Sequence, residues 1–251
     1  MSPALILAIA AIAGPSGSAG AKVDAKAGAK AGANAGAKAD AVIEGLQRSY
    51  LETSDIKASF EQVYTYKVGG LTKRSSGRIF MKKPGRMRFD YLTPSKRHFI
   101  SDGTVLWVYE PDQAQAFQDS LKSSQSSVVV NLLLGGGDLK RDFEHSLLAP
   151  DDKGRHRLQL VPRESARTFR KVVLTLDPSS FRVLGVEWDD PTGNNNRMRF
   201  TDVQANVGLP EDGFNFTPPA GTRVIKAPTA PPATPTAAGA ASADAPRSDA
   251  P

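Results

Sequence analysis

The chain has no cysteine among its 251 residues, so disulfides, thiol catalysis and a cysteine-held zinc are all excluded. The same absence predicts that the chain does not carry the acyl anchor of bacterial lipoproteins, which needs a cysteine behind the signal peptide. Histidine is nearly as scarce, with three in all. His98, His145 and His156 fall on separate segments with no ligand-like spacing, so no metal site is expected. No GxSxG elbow is present. The glycines Gly135 to Gly137 follow an apolar run, where a phosphate loop would precede a helix, and they lack that loop's lysine. Glu110, Asp112, Asp189 and Asp190 sit near strand ends, where turn formation accounts for them better than a catalytic carboxylate pair. No helix-turn-helix or RNA-binding signature accompanies the basic balance, and nucleic acid is not expected as a partner. The chain reads as a binding scaffold, not an enzyme, with no cofactor.

Long hydrophobic runs are also missing. Ala4 to Ala13 is an apolar run of ten residues, too short to cross a bilayer, and small residues suited to cleavage near Ala19 or Ala21 follow it. Residues 1–21 therefore read as a secretory signal peptide. Residues 22–40, an Ala/Gly/Lys segment, have no side chains large enough for a core and read as a linker. Asp40 is a plausible N-cap for a helix over the next dozen residues, in which Val42, Ile43, Leu46 and Tyr50 recur at helical spacing. Residues 227–251, rich in Pro, Ala and Thr, read as a disordered tail. The remaining domain, 41–226, is long enough for one β-rich core. Of the formal charge of +6, the segment to residue 40 holds +2 and the tail −1, leaving +5 on the domain. That excess suits solubility, or attraction to an acidic partner or anionic headgroups.

What is present in quantity is strand signal. Arg78 to Lys83 ends at Pro84-Gly85, Arg86 to Tyr91 alternates basic or acidic with apolar residues, Arg97 to Ser101 runs into Asp102-Gly103, and Thr104 to Glu110 is β-branched and aromatic. This is a meander, expected to pair antiparallel. Period two puts Met87, Phe89 and Tyr91 on one face, with Ile79, Met81 and Lys83 continuing that face across the turn. Upstream, Asp55 to Val68 places Ile56, Ala58, Phe60, Tyr64, Tyr66 and Val68 on one parity. Further strands are expected over Asp142 to Leu148, His156 to Pro162, Phe169 to Leu176, Phe181 to Trp188 and Arg197 to Val203. A closing strand and turn over Asn206 to Gly221 and a last strand over Thr222 to Lys226 complete the series. Between the two groups, Ser126 to Leu134 reads as a helix of about two turns that is apolar nearly all round. It is either a buried plug or a movable cover over an apolar cavity.

Four segments in order carry a family resemblance: SFEQ at 59–62, GRIFMKKPGRMRFDY at 77–91, SDGTVLWVYEPDQAQ at 101–115 and FNFTPPAG at 214–221. The chain resembles the periplasmic lipoprotein carrier family LolA from Val42 to about Lys226. The resemblance implies a mainly β fold with short helices, an open and incomplete antiparallel β-barrel covered by lid helices. It implies a periplasmic chaperone that takes acylated lipoproteins from an inner-membrane ABC transporter and passes them to an outer-membrane receptor, LolB, working as a monomer. A LolA-like sensor, or a carrier of other lipids and amphiphiles, is the alternative. The residues expected to meet acyl chains are Phe60, Ile79, Met81, Met87, Phe89, Tyr91 and Trp107. Val128, Val129, Leu132 and Leu133 fall on the lid, and Lys83 falls where the family places a gating arginine. Lysine offers one compact charge in place of arginine's planar fork, so the closed state is expected to be less strongly held here, or the gate to work differently.

Overall fold

The structure, a computed structural model, describes residues 28–120, 138–163, 170–190 and 192–226. Helix α1 (Gly28–Leu51) opens the described chain. It is followed by strands β1 (Asp55–Thr65), β2 (Thr72–Lys82), β3 (Arg86–Thr93), β4 (Arg97–Ser101), β5 (Val105–Glu110) and β6 (Gln115–Ser120). A one-turn helix α2 (Leu139–Asp142) leads into β7 (Phe143–Leu148), β8 (His156–Pro162), β9 (Val172–Leu176), β10 (Val183–Asp189), β11 (Asn195–Ala205) and β12 (Arg223–Lys226). The strands form one 12-stranded sheet in the order β12-β6-β5-β4-β3-β2-β1-β11-β10-β9-β8-β7. Because β12 and β7 both end the order, the sheet is open. Every pairing is antiparallel except β12 with β6, which is parallel.

One face of the sheet carries the core. Ala58, Phe60, Ile79, Met81, Met87 and Phe89 from β1 to β3 share it with Leu158, Leu160, Leu174, Val186, Met198 and Phe200 from the other half. The parity read from the central meander is the observed one, with Met87 2% exposed. Helix α1 lies on this inner face through Ala39, Val42, Ile43 and Leu46, all buried, at the spacing of a single helical stripe.

Three expectations need correction. The helix begins at Gly28, not after Asp40. Alanine and lysine are strong enough helix formers to carry the intervening glycines, and Ala39 is buried. Asp40 is thus inside the helix, and its carboxylate lies 2.9 Å from His145 Nε2 on β7. Strand β6 was not anticipated, because each of its parities sets one apolar residue among polar ones, Ala116 with Gln118 and Ser120 outside and Phe117 with Gln115 and Asp119 inside. No strand forms over Asn206 to Gly221. That segment crosses the outer face of the sheet, pinned at its start by Asp55, whose carboxylate accepts from the amides of Val207, Gly208 and Leu209 at 2.8 to 3.3 Å. It then turns through a short 3-10 segment, Asp212–Phe214, that buries Phe214. The expected signal peptide, the expected helix Ser126 to Leu134 and the expected tail lie outside the described residues.

Candidate functional site: an apolar cavity under helix α1

The last turn of α1 leaves its carbonyls without intrahelical partners, and these must be satisfied from elsewhere. The Thr53 hydroxyl donates to Ser49 O at 2.6 Å. The Lys83 ammonium, from just past the end of β2, donates to Tyr50 O and lies 5.3 Å from the centre of the Tyr50 ring. The Lys83 amide also donates to Ser54 O at 2.9 Å. A positive charge on a helix C-terminus and over an aromatic face is favourable on both counts. Burial holds the Lys83 ammonium below the ordinary lysine range and pushes the Tyr50 hydroxyl well above the usual tyrosine range. Lys83 therefore ties the end of α1 to the sheet. Val128, Val129, Leu132 and Leu133, expected as the lid it would hold, lie outside the described residues.

Behind this tie is a cavity of about 60 Å³. Its wall is Leu46, Ser49, Tyr50 and Thr53 from the helix and its end, Ile56, Ala58, Ile79 and Met81 from β1 and β2, and Phe181, Arg182, Val183, Phe200 and Val203 from the far side. Of the residues expected to meet acyl chains, Ile79 and Met81 line it. Phe60, Phe89 and Tyr91 share the inner face but pack on one another, with the Phe60 and Phe89 centroids 6.0 Å apart and those of Phe60 and Tyr91 4.8 Å apart, edge to face. Met87 is packed in the same cluster. The hollow is therefore smaller than the sequence suggested. Large apolar side chains facing an empty interior collapse on one another, because an unfilled apolar void forfeits dispersion contacts.

Trp107 must be moved to the other side of the sheet. Pairing of Trp107 with Ile100, and of Leu106 with Ser101, puts Trp107 on the outer face. There its ring packs on Phe216 at 5.6 Å, beside Tyr109, whose ring is 5.1 Å from the same phenylalanine. It cannot share a cavity with Met87.

The inner face also holds an ion pair at the end of the meander. Arg97 pairs with buried Glu110, and Gln115 donates to that carboxylate at 2.7 Å. Burial pushes the neighbouring Tyr91 hydroxyl up to about 12, although Arg97 and Gln62 pull it down. Among the described residues no three His, Cys, Asp or Glu side chains are grouped to hold a metal. The cavity wall offers apolar, non-directional contact.

Phe181 was missed by sequence reasoning, and its placement is local chemistry. The Asp177 carboxylate accepts from the amides and hydroxyls of Ser179 and Ser180, at 2.6 to 3.0 Å, closing a tight turn that leaves Phe181 at φ 54°. Its ring then stacks on His156 at 5.8 Å and lies flat against Gly45 of α1. A Cβ at Gly45 would stand 2.6 Å from that ring, so glycine is what allows the helix to close on the cavity. Gly45→Ala gains about 1 kcal/mol of helix propensity but forces an overlap of the kind that costs about 1–3 kcal/mol. The expected net result is a lower urea midpoint with stronger binding of an apolar dye. An unchanged midpoint would mean that Phe181 moves aside freely.

Residues 52–217 match the family described as "Outer membrane lipoprotein carrier protein LolA". An outer-membrane lipoprotein carrier protein of Methylibium petroleiphilum is 34% identical over 183 residues, 73% of this chain and 88% of that one. The one from Methylobacillus flagellatus is 29% identical over the same length, again 73% and 88%. Among solved structures, a LolA superfamily protein from Nitrosomonas europaea superposes with a TM-score of 0.41 at 16% identity, covering 71% of this chain and 97% of that one. A family match across most of the sheet, together with relatives aligned over most of their own length, shows that the chain belongs to the LolA family of outer-membrane lipoprotein carriers.

Proposed function

We propose that this chain carries acylated lipoproteins through the periplasm, taking their acyl chains between helix α1 and the inner face of the sheet. The observation that carries the reading is the apolar cavity behind the Lys83–Tyr50 tie. By a measure of about 15 Å³ per water, it has room for roughly four waters, far too little for a fatty chain. Loading therefore requires α1 to lift. Exposing Val42, Ile43 and Leu46 costs about 1.5–3 kcal/mol each. Wholly burying an acyl chain of about sixteen carbons recovers about 0.8 kcal/mol per methylene, or about 11 kcal/mol. One acyl chain can thus displace the helix, and contact without direction lets lipoproteins of unrelated sequence use the same site. Complete burial of several chains would bind too tightly for release, so loading calls for an energy source such as an inner-membrane ABC transporter. Unloading calls for a better acceptor at the outer membrane, of the LolB kind. Residues 1–21 direct export in this scheme.

The test incubates the chain with inner-membrane vesicles that hold a triacylated lipoprotein and its transporter, with ATP. A soluble complex of chain and lipoprotein is expected. Lipoprotein that stays with the vesicles, or equal retention of a lipoprotein stripped of its acyl chains, would overturn the reading. Free lipids in place of lipoprotein in the soluble fraction would assign the site to other amphiphiles.

A further inference from the structure

The hairpin of β1 and β2 ends in a feature that neither the core nor the cavity uses. Tyr66 N–H donates to Leu71 O at 2.8 Å, closing the loop Lys67-Val68-Gly69-Gly70. Val68 is 90% exposed and Leu71 67%, two large apolar side chains at one tip. Gly69 and Gly70 take φ of 80° and 63°, and a Cβ on either would meet nothing within 4 Å, so the tip stands clear of the rest of the fold.

The projection is braced at its base. Tyr64 Oη donates to Asp190 Oδ2 at 3.0 Å and accepts from Asn194 Nδ2 at 2.9 Å. The Lys67 amide donates to Asn194 Oδ1 at 3.1 Å, and the Tyr64 and Tyr66 rings meet edge to face at 4.8 Å. Asp190 is held below the ordinary carboxylate range: its burial acts upward, but donors from Thr192, Asn194 and Tyr64 outweigh it. It is committed to the brace and does not neutralise the tip. Lys67, Lys73 and Arg74 flank Val68 and Leu71, and among the described residues no ion pair engages any of them. Arg78 and Arg199 continue the exposed positive charge along the outer face, with Glu61 between them.

We infer that this tip is a membrane-docking element, in which Val68 and Leu71 enter the interface of an anionic phospholipid bilayer while Lys67, Lys73 and Arg74 meet its phosphates. Two side chains are too small an apolar area for a stable protein interface, which needs about 800 Å² per partner. Isolated apolar side chains ringed by cations are, in contrast, what a headgroup layer accepts. A braced tip also loses little freedom on docking. The inference does not rest on the cargo reading, since the tip is formed without any cavity residue.

The experiment is co-sedimentation of the full chain with vesicles of phosphatidylglycerol and phosphatidylethanolamine, and separately of phosphatidylcholine. The parent is expected to partition onto the anionic vesicles, less so as salt rises. The double variant Val68→Asp/Leu71→Asp should bind them at least ten-fold more weakly with an unchanged circular dichroism spectrum. Lys67→Glu/Lys73→Glu/Arg74→Glu should abolish the salt-sensitive part. Residues 4–13 are present in every chain compared, so a difference between parent and variant reports on the tip. The inference is overturned if the parent ignores anionic vesicles, if it binds phosphatidylcholine equally well, or if the tip variant binds like the parent. Retention of the parent on immobilised polyglutamate, with no vesicle binding, would assign the tip to an acidic polypeptide and likewise overturn it.

Discussion

Gly77→Ala is expected to be the most destabilising single-methyl addition in the sheet. Gly77 sits in β2 opposite Phe60 of β1 and Tyr91 of β3, at the point where the β2–β3 register slips between Ser76 and Gly77. The rings of Phe60 and Tyr91 meet edge to face over it. A Cβ there would stand 2.0 Å from the carbonyl oxygen of Asp90 and 2.9 Å from the Phe60 ring. The first contact is with backbone, which cannot rotate away, so β2 and β3 must part locally. A loss of about 3 kcal/mol or more is expected, seen as a large fall in the urea midpoint. A midpoint within experimental scatter of the parent would show that the bulge, not the glycine, creates the space.

The second large effect is on the helix tie. Lys83→Met keeps the aliphatic stem but removes the donor to Tyr50 O and the charge over the Tyr50 ring. A hydrogen bond to a charged group in a buried setting is worth about 1.5–3 kcal/mol. Lys83 is partly exposed, so about 1 kcal/mol is the better figure, a shift of roughly five-fold toward the lifted helix. Uptake of a fluorescent fatty acid should accelerate by that factor, and Lys83→Arg, which keeps a charged donor for the same carbonyl, should bring uptake back to the parent rate or below it. Equal rates in all three would remove Lys83 from the gate.

How far the sequence discloses this arrangement depends on whether each signal is local. The strands around Met87 were legible because Pro84-Gly85 and Asp102-Gly103 mark the turns, and because Arg86, Arg88 and Asp90 leave only one apolar parity. The stripe of α1 was legible for the same reason, with Val42, Ile43, Leu46 and Tyr50 at helical spacing. Its start at Gly28 was not, because glycine's helix cost is set against burial of Ala39, which only the folded sheet supplies. In β5 both parities are apolar, Val105, Trp107 and Tyr109 on one and Leu106 and Val108 on the other. Periodicity cannot choose between them. Phe216 decides, more than a hundred residues later, by covering Trp107 on the outer face. The same distance hides most of the cavity wall. Phe181, Phe200 and Val203 give no sign along the chain that they will face Leu46, and the first of them is placed by a turn whose determinant is the Asp177 carboxylate. Lys83 could be singled out from sequence because period two puts it on the apolar face, where the family resemblance places a gating arginine, whereas its partner, the Tyr50 carbonyl, is a backbone group that no side-chain pattern reports.

If cargo enters on the inner face, beneath α1, a probe there must meet the acyl chains while one on the outer face must not. A photoreactive phenylalanine analogue is placed at Met81, on the cavity wall, or at Trp107, on the outer face, and each is irradiated after loading with a lipoprotein that carries labelled acyl chains. The expected result is label transferred to the chain from Met81 and none from Trp107. Transfer from Trp107 with Met81 silent would contradict it.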